Sequence, residues 1–159
     1  MLVRQFEKLE KTENGYRIHA DAADLMIVFL REDVIRIRVS FSRTFPEASY
    51  ALVTTAWEDR LDPLFEGERR RITALDVPCE DVGNRLVFDT GALRLEMRKN
   101  PLSFVLFDAK TGELLYEDLR ERAFEKDQLG RISHYSKMDR ELDHFYGFGE
   151  KTGYLDKKG

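Results

Sequence analysis

Between positions 34 and 42 the chain alternates without a break: Ile35, Ile37, Val39 and Phe41 are apolar, and Arg36, Arg38, Ser40 and Ser42 fill the places between them. Successive side chains of a strand point to opposite faces, so this segment belongs to a sheet with one dry side and one wet side. The run Leu25-Met26-Ile27-Val28-Phe29-Leu30 just before it is apolar and too short for a helix, and reads as a buried strand. Only Arg31-Glu32-Asp33 separates the two, a tight hairpin connection that makes them antiparallel neighbours.

The same reading extends along the chain. Residues 2–13 form an opening strand or a short amphipathic turn, Asn14-Gly15 turns the chain, and Tyr16-Arg17-Ile18-His19-Ala20 alternates. Phe45-Pro46 marks a loop, residues 50–57 return to β-forming types, and residues 59–68 have no clear period. Residues 71–77 read as a further strand ended by Pro78. From Arg85 the turns become regular, with strands at 85–89, 93–98, 103–107 and 114–116 joined through Thr90-Gly91, Asn100-Pro101 and Thr111-Gly112 as a meander. Residues 118–128, rich in Glu, Arg and Lys, are the best helical or irregular candidate, 132–138 read as a strand, and 139–143 as a turn or single helical turn. Many short strands with turns between them predict an all-β fold, an antiparallel β-sandwich with one or two short helical turns, in a single domain over residues 1–159.

At 159 residues the chain can build a sizeable core without staples, and its 42% hydrophobic and 35% charged composition is that of a folded domain rather than a disordered or membrane-embedded chain. No apolar run approaches the length of a membrane span, and residues 1–13 are too charged for a secretory signal, so a cytoplasmic location and no membrane partner are expected. Cys79 is the single cysteine, which leaves no internal disulfide and no cysteine-based zinc site. A net charge of -4 argues against a nucleic-acid partner. The local run Arg69-Arg70-Arg71 has no interleaved aromatics and reads as a solvated strand end or loop.

A hydrolytic site needs paired carboxylates in a pocket, a nucleophile with a base, or a metal cluster, and none stands out. His19, His134 and His144 are scattered and read as packing or surface residues, so no metal and no cofactor is expected. Glu117-Asp118, Glu141 and Asp143 read as charged turns with nothing to split their pKa values into an acid and a base. Trp57, Tyr50, Tyr116, Tyr135, Tyr146 and Tyr154 could stack on sugar rings, although aromatics in strands more often fill a core.

The closing stretch is distinctive. In Tyr146-Gly147-Phe148-Gly149-Glu150, glycines alternate with aromatics, the pattern of a strand that another backbone or side chain approaches closely. Glu150 either accepts hydrogen bonds from a nearby loop or pairs with a cation, and a structural role is favoured over ligand contact. This segment, with Lys151-Thr152-Gly153 after it, resembles the Y-G-x-G-E segment near the end of the N-terminal β-sandwich of glycoside hydrolase family 31. Asp89-Thr90-Gly91-Ala92-Leu93-Arg94-Leu95, then Lys99-Asn100-Pro101-Leu102-Ser103-Phe104, Thr111-Gly112-Glu113 and Glu117-Asp118 resemble, in order, the strands and turns that precede it in that family. The likeness is good from about Arg85 onward and lies only in strand pattern before that.

The resemblance implies a galactose mutarotase-like sandwich standing before a (β/α)8 barrel, in an enzyme of mainly α-glucosidase type. Two barrel aspartates there act as nucleophile and acid/base in a retaining mechanism. It implies that this chain is the truncated N-terminal domain, with no catalytic residue of its own and no activity alone. The barrel, and through it an α-glucoside, are the implied partners, and self-association of the isolated domain is expected. The family's substrate-binding loop aspartate would fall after Gly159, so no substrate-binding residue is assignable. Tyr146, Gly147, Gly149 and Glu150 carry the motif in a structural capacity. The alternatives are an α-xylosidase parent, a stand-alone carbohydrate-binding sandwich and, third, a mutarotase-like enzyme, which needs histidines and a glutamate converging in a cleft.

Overall fold

The computed structural model describes residues 1–13, 15–45 and 74–138. The first four strands, β1 (Phe6–Thr12), β2 (Gly15–Ala20), β3 (Asp24–Arg31) and β4 (Val34–Ser40), pair in sequence order as one antiparallel sheet. A second sheet runs β5 (Cys79–Asp81), β6 (Arg85–Asp89), β7 (Leu93–Lys99), β8 (Leu102–Asp108) and β9 (Leu114–Glu117), again antiparallel and in order. A small third sheet joins β10 (Phe124–Lys126) to β11 (Ile132–His134).

The two large sheets bury one face each. Phe88 of β6 lies 5.1 Å from the ring of Tyr16 and 5.5 Å from that of Phe29, bridging the layers. Ile18, Leu25 and Ile27 from one sheet and Leu86, Leu95, Met97, Leu102 and Phe104 from the other complete the core. Burial of each such side chain stabilises by about 1.5–3 kcal/mol. The Tyr16 hydroxyl donates to the Val77 carbonyl at 2.7 Å, tying the segment before β5 onto the first sheet.

Register explains why one strand matters more to the site than the others. Leu25, Ile27 and Phe29 of β3 face Val39, Ile37 and Ile35 of β4 across the ladder, so all six share the inner face. The β3 set is fully buried, whereas the β4 set is only partly covered, because β4 is the last strand of its sheet. Its apolar row therefore runs past the edge of the core.

Among the described residues there is no helix, so of the two readings of 118–128 the irregular one holds, with a short strand inside it. Residues 118–128 turn at Leu119–Arg122 and then form β10. Ala123 and Phe124 are buried there, and Val3 supplies an N–H to the Phe124 carbonyl at 3.0 Å. Burial and an available strand partner outweigh the local Glu/Arg/Lys composition. Residues 2–13 contain a strand, as one of the two readings had it. The short edge strand β5, following Pro78, was not foreseen, and residues 74–77 are not a strand. The expected strand at 50–57 and the turn at 139–143 lie outside the described residues.

Two backbone and charge features hold the first sheet. Gly15 has φ +148, and a β-carbon there would sit 2.1 Å from the Ile27 carbonyl oxygen. Asp24, 1% exposed, accepts from Arg17 Nε at 2.9 Å and Nη2 at 2.6 Å and from Arg43 Nη1 at 2.6 Å, while His19 Nδ1 lies 3.3 Å away. Arg43, in the left-handed region at φ 60, also donates to the Ala20 and Asp21 carbonyls.

Gly15→Ala is expected to cost about 2–4 kcal/mol, because backbone rather than a flexible side chain blocks the new methyl. A urea midpoint equal to that of the parent would refute the close approach of β2 to β3. Asp24→Ala strands two guanidinium groups that are partly solvated, so a loss of about 2–3 kcal/mol is expected, below the full cost of breaking a buried pair. Differential scanning calorimetry reads it out; an unchanged Tm would show that the clamp contributes nothing.

Candidate functional site

At the open side of the sandwich, where β4 and β9 are the facing edges, three polar groups converge. The period of two along β9 and its continuation puts Tyr116 and Asp118 on the same face, Tyr116 opposite Leu106 and Asp118 beside Phe104. His134 arrives from β11, where it is paired with Phe124, and the two rings stack at 4.7 Å with an 8° interplanar angle.

Asp118 is fully buried and fully used. Its Oδ2 accepts from the Phe104 N–H at 2.7 Å, and its Oδ1 accepts from His134 Nε2 at 2.7 Å and from the Tyr116 hydroxyl. The Tyr116 oxygen also lies 2.7 Å from His134 Nε2. With the phenol proton directed at the carboxylate, Nε2 of His134 carries a proton and donates to Asp118 Oδ1, which leaves Nδ1 outside the cluster. Burial, then the Asp118 carboxylate beside it, pushes the Tyr116 phenol far above the ordinary tyrosine range.

These groups line one end of a cleft of about 200 Å³. Ile35, Ile37 and Val39 of β4 form its wall, and Phe104 and Phe124 its back. His134, with its side chain 48% exposed, is the polar group that meets solvent.

Chemically, this cluster binds better than it reacts. Anomerisation of a sugar needs an acid and a base acting at separate oxygens, whereas here carboxylate, phenol and imidazole share one proton network and Asp118 has spent its lone pairs on three donors. The mutarotase-like alternative therefore gains no support.

The sequence reading placed these residues singly and missed their convergence. Asp118 is no solvated turn residue, and His134 and Tyr116 both hydrogen-bond to it. The legible signal was the i, i+2 spacing of Tyr116 and Asp118 at the end of a strand; the contribution of His134 depends on tertiary pairing. Glu117, on the opposite face, does behave as a surface ion-pair residue, held low by Lys137 at 2.7 Å and then by Arg98 at 3.0 Å. His19 bridges Glu10 at 3.1 Å and Asp24, and Tyr135 lies under Arg122. Tyr146, Gly147, Gly149 and Glu150 lie outside the described residues, as do Tyr50, Trp57, Arg69-Arg70-Arg71, Glu141, Asp143, His144 and Tyr154.

The fold defines a class before the sequence does. The chain superposes on a glycoside hydrolase family 31 dextranase of Flavobacterium johnsoniae, solved with isomaltotriose, with a TM-score of 0.75 and 20% identity over 98% of this chain and 18% of that one. An uncharacterised Listeria monocytogenes protein solved with α- and β-D-glucose, magnesium and calcium gives a TM-score of 0.67 at 16% identity, over 98% of this chain and 13% of that one. Both show a β-sandwich in a much longer protein. The family model for the glycosyl hydrolase 31 N-terminal galactose mutarotase-like domain matches residues 24–159, and the chain belongs to that family. The match reaches back well before Arg85, where the sequence resemblance was only one of strand pattern. Alpha-glucosidase 2 of Bacillus thermoamyloliquefaciens is 30% identical over 149 residues, 93% of this chain but 16% of the relative.

The phenol shift has a sign. Because the folded state raises the Tyr116 value, its contribution to stability is complete below the unfolded tyrosine value of about 10 and is lost as pH rises through the folded one. In an alkaline titration followed by ultraviolet difference spectroscopy, Tyr116 and the buried Tyr16 are expected to ionise last, and Tyr116→Phe to remove one of these late components. A Tyr116→Phe titration superimposable on the parent curve contradicts the assignment.

Proposed function

We propose that this chain is the non-catalytic N-terminal domain of an α-glucosidase, which removes terminal α-linked glucose with retention through a barrel that follows the sandwich. The observation that carries the reading is the 30% identity to Alpha-glucosidase 2 across nearly all of this chain, which spans only 16% of that relative. The domain packs on the barrel and shapes the entrance of its site. Exposed apolar side chains support such a contact, among them Leu114, Leu115 and Ile132, each about half exposed, and Leu129 at 79%.

The test is an assay of the full-length protein beside the 159-residue chain on p-nitrophenyl α-glucoside, p-nitrophenyl α-xyloside and isomaltotriose. Hydrolysis of the α-glucoside by the full-length protein alone is the expected result. A preference for the α-xyloside overturns the α-glucosidase reading, and turnover by the 159-residue chain overturns the non-catalytic one.

A further inference from the structure

We infer that the cleft walled by β4 and closed by Tyr116, Asp118 and His134 is a binding site for one uncharged polyhydroxylated ring of hexose size. Recognition of such a ring follows from the geometry; its being a sugar rests on the glycosidase reading.

Size sets the first limit. About 200 Å³ is below the roughly 300–1,000 Å³ that holds drug-sized ligands and corresponds to one substituted ring rather than a chain of them. Charge sets the second. The Asp118 carboxylate is buried and already accepts from three donors, which disfavours its pairing with a cationic ligand, and among the described residues no lysine or arginine lines the cleft to attract an anionic one. Hydrogen-bond capacity sets the third. Nε2 of His134 is taken by Asp118, so the other nitrogen of this half-exposed ring is the hydrogen-bonding group left for a ligand, and a hydroxyl, which both donates and accepts, can pair with it. The β4 row opposite is flat and aliphatic, which suits the C–H face of a ring whose hydroxyls lie at its rim.

The rigidity of the site supports binding. His134 is fixed on one side by stacking on Phe124 and at Nε2 by Asp118, so its free nitrogen is held in one direction without a ligand.

Histidine-labelled full-length protein, with the His134 signals assigned by their loss in His134→Gln, allows direct titration with D-glucose, maltotriose and acetate. A saturable shift of the His134 Nδ1 resonance with glucose is expected, and Ile37→Phe, which fills the cleft from the β4 side, should weaken it by about ten-fold or more. Should that variant not fold, Val39→Leu makes a smaller intrusion into the same wall. A shift with glucose alone identifies a free-monosaccharide site, and a shift with both sugars one that also takes a terminal unit. No shift with either sugar, a shift with acetate only, or a glucose response unaltered in the filled variant overturns the inference. Glycosidase activity is read separately on the same preparations, so failure of the α-glucosidase reading leaves this result standing.

Discussion

The structure depends on one constraint, that two antiparallel sheets must each hide one face and can do so only against each other. Phe88 sits where that constraint is satisfied, between Tyr16 and Phe29. Everything the chain does at its strand ends follows from keeping these layers in register. The glycine at the start of β2 lets two backbones close up, and the meander from β5 to β9 needs only short turns to stay in plane.

A sandwich of this kind has open sides, and one of them is built from the edge strands β4 and β9. Where β4 and β9 face each other, the apolar row of β4 outruns the core and would meet water. The chain answers with Asp118, a carboxylate that turns the end of β9 inward and collects donors from three separate elements. A buried carboxylate survives there because both of its oxygens accept hydrogen bonds, one from a backbone N–H and the other from two side chains.

Much of this was legible before any coordinates. The alternation through Ile35, Ile37 and Val39 gave both the strand and its wet and dry faces, and the turn residues at Thr90-Gly91 and Asn100-Pro101 gave the meander, because those signals are local. The third sheet was not legible for the opposite reason. Phe124 becomes a strand residue by pairing with His134 of β11, and Val3, more than a hundred positions away, donates to its carbonyl; no periodicity in 118–128 records either contact. The cluster shares this blindness in half: Tyr116 and Asp118 are two apart in one strand, whereas His134 joins them through the pairing of β11 with β10. Asp24 likewise carries no local sign of its role, since its carboxylate is held by Arg17 from β2 and by Arg43 from beyond β4.

The Asp24 clamp has a mechanical side. Arg43 leaves the end of β4 in a left-handed conformation with its guanidinium spread over the Asp24 carboxylate and the Ala20 and Asp21 carbonyls. Arg17 closes the loop by donating to the carbonyl of Arg43 itself. The chain is thereby moored three residues past the last rung of β4. A pull transmitted from beyond Phe45 is taken up by charge-assisted bonds to a buried anchor before it can unzip the β3–β4 ladder. Sequence inserted or exchanged after that mooring can vary in length and load while the wall of the cleft stays where the core has set it.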